Sequence, residues 1–328
     1  MSKALFINGI SCALLSCLNL PVASASTVMS QEKSGLTQSM LNVSHQVTDA
    51  TIKRLYQGRL GLAPDTLLNA QQITRQRVAF ALSEIFAVSS QEQSLTKYDD
   101  GLAWYYDLLV KHSFGNYRDL LQDVTLSPAM GVHLSMQGSR KADLKNNTFP
   151  DENYAREVMR LFSIGLFQLD LSGQAILDAQ GNKNLSYKQA DVENLARVFT
   201  GWDLVENKRY GHGRSGRYDT FMELSPKQHD YTEKVIFGQT INAGMKGSEE
   251  LSLSLDLLFN HPNVGPFISR QLIQGLASSN PSPDYVKRVA MVFNDNGAGS
   301  RGDLDAVVQA ILLDEESQGA TISPVFKS

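Results

Sequence analysis

Apolar residues recur at helical spacing in one segment of this 328-residue chain after another, and this repetition restricts the fold more than any other feature. In the segment 74–89, Val78, Leu82 and Ile85 lie four and three residues apart, so they share one face of a helix. The same spacing predicts further helices at 102–109, 117–124, 151–164, 186–202, 250–259, 264–276, 283–293 and 303–313. A helix with one apolar face buries that face against another element. We therefore expect a mainly α protein, a multi-helix orthogonal bundle with one or two short β-hairpins.

Extended segments are few and short. Residues 167–171 and 175–177 flank Ser172-Gly173, a pair typical of a tight turn, and this arrangement predicts a hairpin. The short segments 220–224 and 235–237 are predicted to pair with each other as strands. No internal repeat is visible in the sequence.

Residues 1–25 have the pattern of a secretory signal peptide. Lys3 precedes a mostly apolar stretch at 4–20, and the small residues of Ala23-Ser24-Ala25 form a cleavage site before residue 26. The segment that ends at Cys17 also resembles a bacterial lipobox, so a lipoprotein anchored at Cys17 is the alternative. The pattern predicts export to the periplasm or the extracellular space.

The composition of the predicted mature chain excludes several classes of protein. Both cysteines, Cys12 and Cys17, precede the cleavage site, which leaves no disulfide, thiol nucleophile or cysteine-bound zinc. The 30 basic and 34 acidic residues argue against a nucleic-acid binder, which needs a surplus of positive charge. No second long apolar run follows the signal, so no transmembrane segment is expected. We predict a flexible leader at 26–46 and a single helical domain at 47–328.

A long irregular stretch at 203–217 is rich in basic and aromatic residues. Residues 211–216 match the letters G-x-G-x-x-G, but the predicted helix before them and the lack of a helix after them argue against dinucleotide binding. A loop of this length is typical of a functional or a disordered segment. As a basic patch, Arg209, Arg214 and Arg217 predict binding of an anionic polysaccharide; the alternative is a solvated loop.

The densest group of polar residues begins at Asp151. Glu152 and Arg156 are four residues apart and are expected to pair along a helix, while a second predicted helix carries Arg197. If the polar faces of these helices meet, they form either a network that locks the helices together or a ligand cleft. The candidate catalytic residues are Glu152, Glu157, Arg156 and Arg197, and the candidate binding residues are Asn153, Asp151, Trp202, His229, Asp230, Lys234, Arg209, Arg214 and Arg217.

Motifs for metal and cofactor binding are missing from the sequence. None of the six histidines belongs to an H-E-x-x-H motif, and neither a P-loop nor a G-x-S-x-G elbow occurs. Residues 294–305 have the outline of a calcium loop, but Ala298 stands where a ligand oxygen is needed. We therefore predict no metal and no cofactor.

Several motifs in order resemble a family of exported bacterial proteins, the domain-of-unknown-function family 1800. The resemblance covers about residues 74–314 and is strongest at 150–157, 161–166 and 195–202, with support from 77–86, 112–121, His229-Asp230 with Lys234, and 289–313. It implies a mostly helical exported protein, with an exported protein of domain-of-unknown-function family 1501 as a partner. The leader is shorter than in typical members and the chain stops earlier, so we expect a shortened member.

Two functional hypotheses follow. The first is an exported binding or assembly factor for a cell-surface or periplasmic partner or an anionic polymer. The alternative is a periplasmic hydrolase that uses the cleft of glutamate, asparagine and arginine residues around Glu152. A closed network of salt bridges favours the binding factor, whereas a carboxylate of raised pKa beside a cavity favours the hydrolase.

Overall fold

The computed structural model describes residues 70–89, 99–205 and 216–318. The predicted signal peptide and leader lie outside the described residues. So do Cys17, Arg209 and Arg214.

Helices dominate the described part of the chain. In chain order they are α1 (Ala70–Ile85), α2 (Asp99–His112), α3 (Tyr117–Leu126), α4 (Pro128–His133), α5 (Asn153–Arg160), α6 (Gln189–Val198), α7 (Gly247–Phe259), α8 (Val264–Leu276), α9 (Pro283–Asn294), α10 (Leu304–Leu313) and α11 (Glu315–Gln318). Two small antiparallel sheets accompany them: β1 (Trp202–Asp203) pairs with β2 (Glu223–Leu224), and β3 (Lys234–Ile236) pairs with β4 (Gln239–Ile241). The prediction of a mainly α fold with short hairpins is confirmed.

The helices pack their apolar faces into one hydrophobic core. Helix α8 contacts α1, α9 and α10, and α5 contacts α6. The predicted stripe of Val78, Leu82 and Ile85 is buried there. Fully buried tyrosines hydrogen-bond within this core: the hydroxyl of Tyr117 donates to the carbonyl of Phe162 at 2.7 Å. Burial of a tyrosine needs such a partner for its hydroxyl.

The predicted pairing of 220–224 with 235–237 is wrong. Strand β2 pairs instead with β1, and β3 pairs with β4, the next strand along the chain. The β3–β4 turn consists of Phe237 and Gly238, whose φ angles of 50° and 77° suit the two-residue turns that match strand twist. This local turn places β4 beside β3. The strand edge of β3 that was predicted to pair with residues 220–224 is therefore paired with β4 instead.

An eight-residue repeat, which we did not predict, organises residues 166–186. Asp170 and Asp178 each begin a turn in which one carboxylate oxygen accepts hydrogen bonds from the backbone N–H groups two and four residues later. Gly173 and Gly181 stand at the same point of the two turns, with φ of 75° and 84°.

Three short extended segments meet around these turns. The N–H of Gln168 donates to Asn184 at 2.8 Å, that of Asn184 to Ile176 at 3.0 Å, and that of Ile176 to Gln168 at 2.8 Å. The predicted hairpin of 167–177 is thus present only as a bridge between Leu169 and Ala175 inside a closed group of three segments.

None of the helices in the described ranges is long and apolar enough to span a membrane.

Candidate functional site

The Glu152–Arg156 pair predicted from spacing is present. The Arg156 guanidinium lies 2.7 Å from the Glu152 carboxylate, and the side-chain amide of Gln189 on α6 donates to the same carboxylate at 3.0 Å. Asp151 accepts a hydrogen bond from the N–H of Asn153 at 2.8 Å, at the start of α5. Glu152 and Arg156 are partly exposed. The group therefore ties α5 to α6 at the surface.

Arg197 belongs to a different group. Its guanidinium binds the Asp230 carboxylate at 2.9 Å, the Asn194 side chain at 2.8 Å and the Glu233 carbonyl at 2.8 Å, and it also donates to Thr232. Partial burial raises the pKa of Asp230, but hydrogen bonds from Arg197 and Thr232 outweigh that effect and lower the pKa to about 2.

The two helices are thus joined through Gln189, but Arg197 does not take part in that group. Within the described residues, Arg197 makes no hydrogen bond or ion pair with Glu152 or Glu157. Glu157 lies 3.9 Å from Arg160 on its own helix. Arg197 is held by the loop before β3, where Asp230, Thr232 and Glu233 accept hydrogen bonds from its Nε and Nη2 atoms.

His229, Lys234 and Glu250 form a buried cluster, which we call the buried triad. The side chains of His229 and Lys234 are 0% exposed and that of Glu250 is 3% exposed. His229 Nε2 lies 2.7 Å from Glu250 Oε2, and Lys234 Nζ lies 2.5 Å from Glu250 Oε1. Lys234 also donates to the carbonyl groups of Asp230 at 2.5 Å and Thr232 at 3.0 Å. The three donors of the ammonium group thus all have acceptors.

Both ring nitrogens of His229 have partners. The Nδ1 atom of His229 is 2.7 Å from the Thr200 carbonyl, which only accepts hydrogen bonds, so Nδ1 is the donor there. The Nε2 atom lies 2.7 Å from the Glu250 carboxylate. The triad is fully hydrogen-bonded and lies away from solvent, as expected of a group that holds loop, β3 and α7 together.

The segment between α4 and α5 is attached to this framework by backbone hydrogen bonds. The N–H of Gly201, next to Thr200, donates to Ser139 at 2.8 Å, and the N–H of Gly138 donates to Trp202 at 2.9 Å. The N–H of Lys141 donates to the carbonyl of residue 228 at 2.8 Å. The buried triad therefore lies directly behind the start of this segment.

A surface cavity of about 840 Å³ lies over this segment, and we call it the basic cavity. Its lining consists of residues 138–146, 148, 149, 151 and 228. Arg140, Lys141 and Lys145 are exposed in this lining, and in the described ranges none of the three is in an ion pair. Three unpaired cations around a concave surface are suited to an anionic ligand.

The two carboxylates of the basic cavity are occupied by local hydrogen bonds. Asp143 accepts from the Asn146 side chain at 2.7 Å and from the N–H of Lys145 at 3.0 Å, and the bond from Asn146 is the main cause of its lowered pKa. Asp151 accepts from the N–H of Asn153 at the start of α5. These carboxylates serve the turn and the helix, whereas the cations have no such role.

Residues 20–328 match a family described as "Protein of unknown function (DUF1800)". The chain belongs to this family. The resemblance inferred from the motifs is thus confirmed. The chain matches no curated protein and no solved structure.

The remaining predicted site residues of this DUF1800 protein are dispersed. Trp202 is 5% exposed, and its Nε1 has no hydrogen-bond partner in the described ranges. Arg217 pairs with Asp219 at 2.9 Å, so it is not one of several free cations in a basic loop. In the part of the chain that the structure covers, no group of three or more His, Cys, Asp or Glu side chains is placed to bind a metal ion.

Of the predicted residues, Asp151 is the one that lines the basic cavity. Glu250 and the cavity cations were missed. Glu250 had a weak signal, because it lies at the edge of the apolar helix face that Leu251, Leu255 and Leu258 form. The cations had a weaker one, a cluster of three basic residues within the six residues 140–145.

Proposed function

We propose that this DUF1800 protein is an exported binding factor that holds an anionic component of the cell envelope at the basic cavity. The observation that carries the proposal is the set of three exposed cations, Arg140, Lys141 and Lys145, without ion-pair partners in the described residues around a cavity of about 840 Å³. The signal-peptide pattern of residues 1–25 supports the location.

Charge explains why such a cavity would bind. The whole chain carries a formal net charge of -4, so an anionic polymer is repelled by the protein as a whole. The basic cavity carries three cations and two carboxylates, a local excess of one positive charge. Its cations act on a bound anion over roughly one Debye length, about 10 Å in ordinary salt. An anionic ligand should therefore bind at this cavity rather than elsewhere on the surface, and its binding should weaken as the ionic strength rises.

The hydrolase alternative has less support from the geometry. Neither Glu152 nor Glu157 lines the basic cavity, and Arg156 and Arg197 are engaged with separate partners. A binding factor needs only the exposed cations, whereas a hydrolase of the predicted kind needs these side chains around one substrate.

The test compares two triple variants of the chain from residue 26 onward. The cavity variant carries Arg140→Gln, Lys141→Gln and Lys145→Gln. The control variant carries Lys183→Gln, Lys188→Gln and Lys287→Gln, which are also exposed and outside any ion pair of the described residues. Both variants lose the same amount of positive charge.

Affinity for polygalacturonate, a soluble uronate polymer, is measured by biolayer interferometry at low and moderate salt. We expect the cavity variant to bind at least about tenfold more weakly than the wild type, since each cation near an anionic surface contributes about 1 kcal/mol. The control variant should stay within about twofold. Equal losses in the two variants, or a wild type that binds neither this polymer nor an anionic lipid surface, would overturn the proposal.

A further inference from the structure

The basic cavity also presents the two most exposed large apolar side chains of the described residues. Leu144 is 81% exposed and Phe149 is 64% exposed, and both line the cavity beside the three cations. Single exposed apolar residues are common on protein surfaces. Two of them next to a cluster of unpaired cations form a surface with both an apolar and a cationic part.

These side chains are carried by a well-defined turn. The backbone groups of Asp143 and Thr148 bond to each other in both directions, at 3.0 and 3.1 Å, and Asn147 has a φ of 51°, which asparagine tolerates in turns. The Asp143 carboxylate accepts hydrogen bonds from the inside of the same turn. These bonds fix the backbone of the turn, and the Leu144 side chain that it carries remains 81% exposed.

We infer that residues 140–149 dock the protein on an anionic phospholipid bilayer, with Leu144 and Phe149 entering the boundary between headgroups and acyl chains. Arg140, Lys141 and Lys145 would then lie at the level of the lipid phosphates, where cationic side chains are favourable. A polysaccharide offers only the small C–H faces of its sugar rings, which can stack on Phe149 but do not take an aliphatic side chain such as Leu144 out of water, so the apolar pair favours the bilayer. The inference rests on the proposed function, because it names the anionic component that the same cavity would hold.

The test measures cosedimentation of the chain from residue 26 onward with vesicles of phosphatidylglycerol and phosphatidylcholine, and with vesicles of phosphatidylcholine alone. We expect binding to the anionic vesicles and not to the neutral ones. The variant Leu144→Ser with Phe149→Ser should bind the anionic vesicles at least about tenfold more weakly, the factor expected if about one apolar side chain leaves water on docking. Its binding to polygalacturonate should stay at the wild-type level.

A matched control and a spectroscopic signal accompany this variant. Leu177 and Leu185 are 54% and 56% exposed and lie outside the cavity lining, so Leu177→Ser with Leu185→Ser should leave vesicle binding unchanged. In a Phe149→Trp variant, the new indole should shift its emission to shorter wavelength on anionic vesicles and be quenched by brominated lipids.

The possible outcomes separate the two claims. Vesicle binding by the Leu144 and Phe149 double variant at the wild-type level would overturn the insertion of these side chains, while polygalacturonate binding through the cations would leave the proposed function standing. Wild-type protein that binds the polymer and no anionic vesicle would identify a soluble polyanion as the ligand and overturn the inference. Loss of cation-dependent binding to both would remove the proposed function as well.

Discussion

The buried triad leads to the most quantitative prediction for this protein. Glu250 lies 2.5 Å from Lys234 and 2.7 Å from His229, with side chains that are 0–3% exposed. Removal of one member of a buried ion pair typically costs about 3–5 kcal/mol, because the remaining charge stays buried without its partner. We therefore expect Lys234→Met to lower the free energy of unfolding by about 3–5 kcal/mol.

Glu250→Gln should cost somewhat less, about 2–3 kcal/mol, for two structural reasons. The glutamine side chain can still hydrogen-bond to His229, and Asp230 remains 4.0 Å from the Lys234 ammonium as a second negative charge. The double variant combines Lys234→Met with Glu250→Gln and has neither buried charge of the pair. Its cost should fall short of the sum of the single costs by about 2 kcal/mol, the coupling free energy of the pair.

The assay is urea unfolding at neutral pH, followed by circular dichroism and by tryptophan fluorescence to check that the transition has two states. The exposed pair of Lys246 and Glu249 is the matched control, with the same residue types 3.0 Å apart but side chains 80% and 59% exposed. The identical substitutions there should show a coupling of at most about 0.5 kcal/mol, further reduced by salt.

A total stability of about 5–15 kcal/mol, ordinary for a folded protein, allows the single variants to fold. A coupling for Lys234 and Glu250 no larger than that of the exposed pair would refute the reasoning. The buried triad would then not be an energetic unit, and its geometry would contribute no more than surface ion pairs do.

Two further predictions concern acid stability and a close backbone contact. The pKa of Asp230 is lowered from 3.8 to about 2 in the folded protein. Its contribution to folding stability is therefore complete above pH 3.8 and disappears as the pH falls through about 2. Asp230→Asn should therefore be less stable than the wild type by about 1–2 kcal/mol near neutral pH. Urea unfolding should show that this difference shrinks towards zero near pH 2. A difference in stability that does not change with pH would contradict this prediction. Gly201→Ala should lower stability by about 2–4 kcal/mol, because φ is 85° and the new Cβ would lie 2.9 Å from the Ser225 carbonyl oxygen. Gly181→Ala is the control: its φ is 84° and no atom lies within 4 Å of the new Cβ, so thermal melts should show a loss of only about 1 kcal/mol. Equal losses of stability in the two variants would contradict the role of the contact with Ser225.

The helices of this protein were predictable because their signal is local. The stripe formed by Val78, Leu82 and Ile85 needs only the 3.6-residue period to be recognised, and its burial follows. Strand partners were not predictable in the same way. Strand β2 is two residues long, and so short a segment carries no pattern that selects β1 over β3. The repeat that starts at Asp170 and Asp178 was missed because few of its letters coincide.

The candidate site likewise contains contacts that could be predicted from local spacing and contacts that could not. The Glu152–Arg156 pair follows from a spacing of four residues on one helix. Arg197 was expected to meet the residues of α5, yet it binds Asp230, which comes 33 residues later in the chain. The sequence shows the basic residues that line the cavity, but only the tertiary structure shows that they lack ion-pair partners in the described residues.

The sequence by itself determined the helical class, the approximate positions of nine of the eleven helices in the described residues, and the family, because each depends on residues near one another or on motifs in a fixed order. The tertiary structure alone decided which charges neutralise each other and which remain free. Lys234 and Glu250 are 16 residues apart and both look like surface residues, yet the tertiary structure brings them together and buries them as a pair. Arg140 and Lys141 look equally ordinary but lie in the segment between α4 and α5, where neither has an ion-pair partner among the described residues. The physical reason is that an ion pair depends on distance and burial, and for residues on different elements neither is encoded in their spacing along the chain.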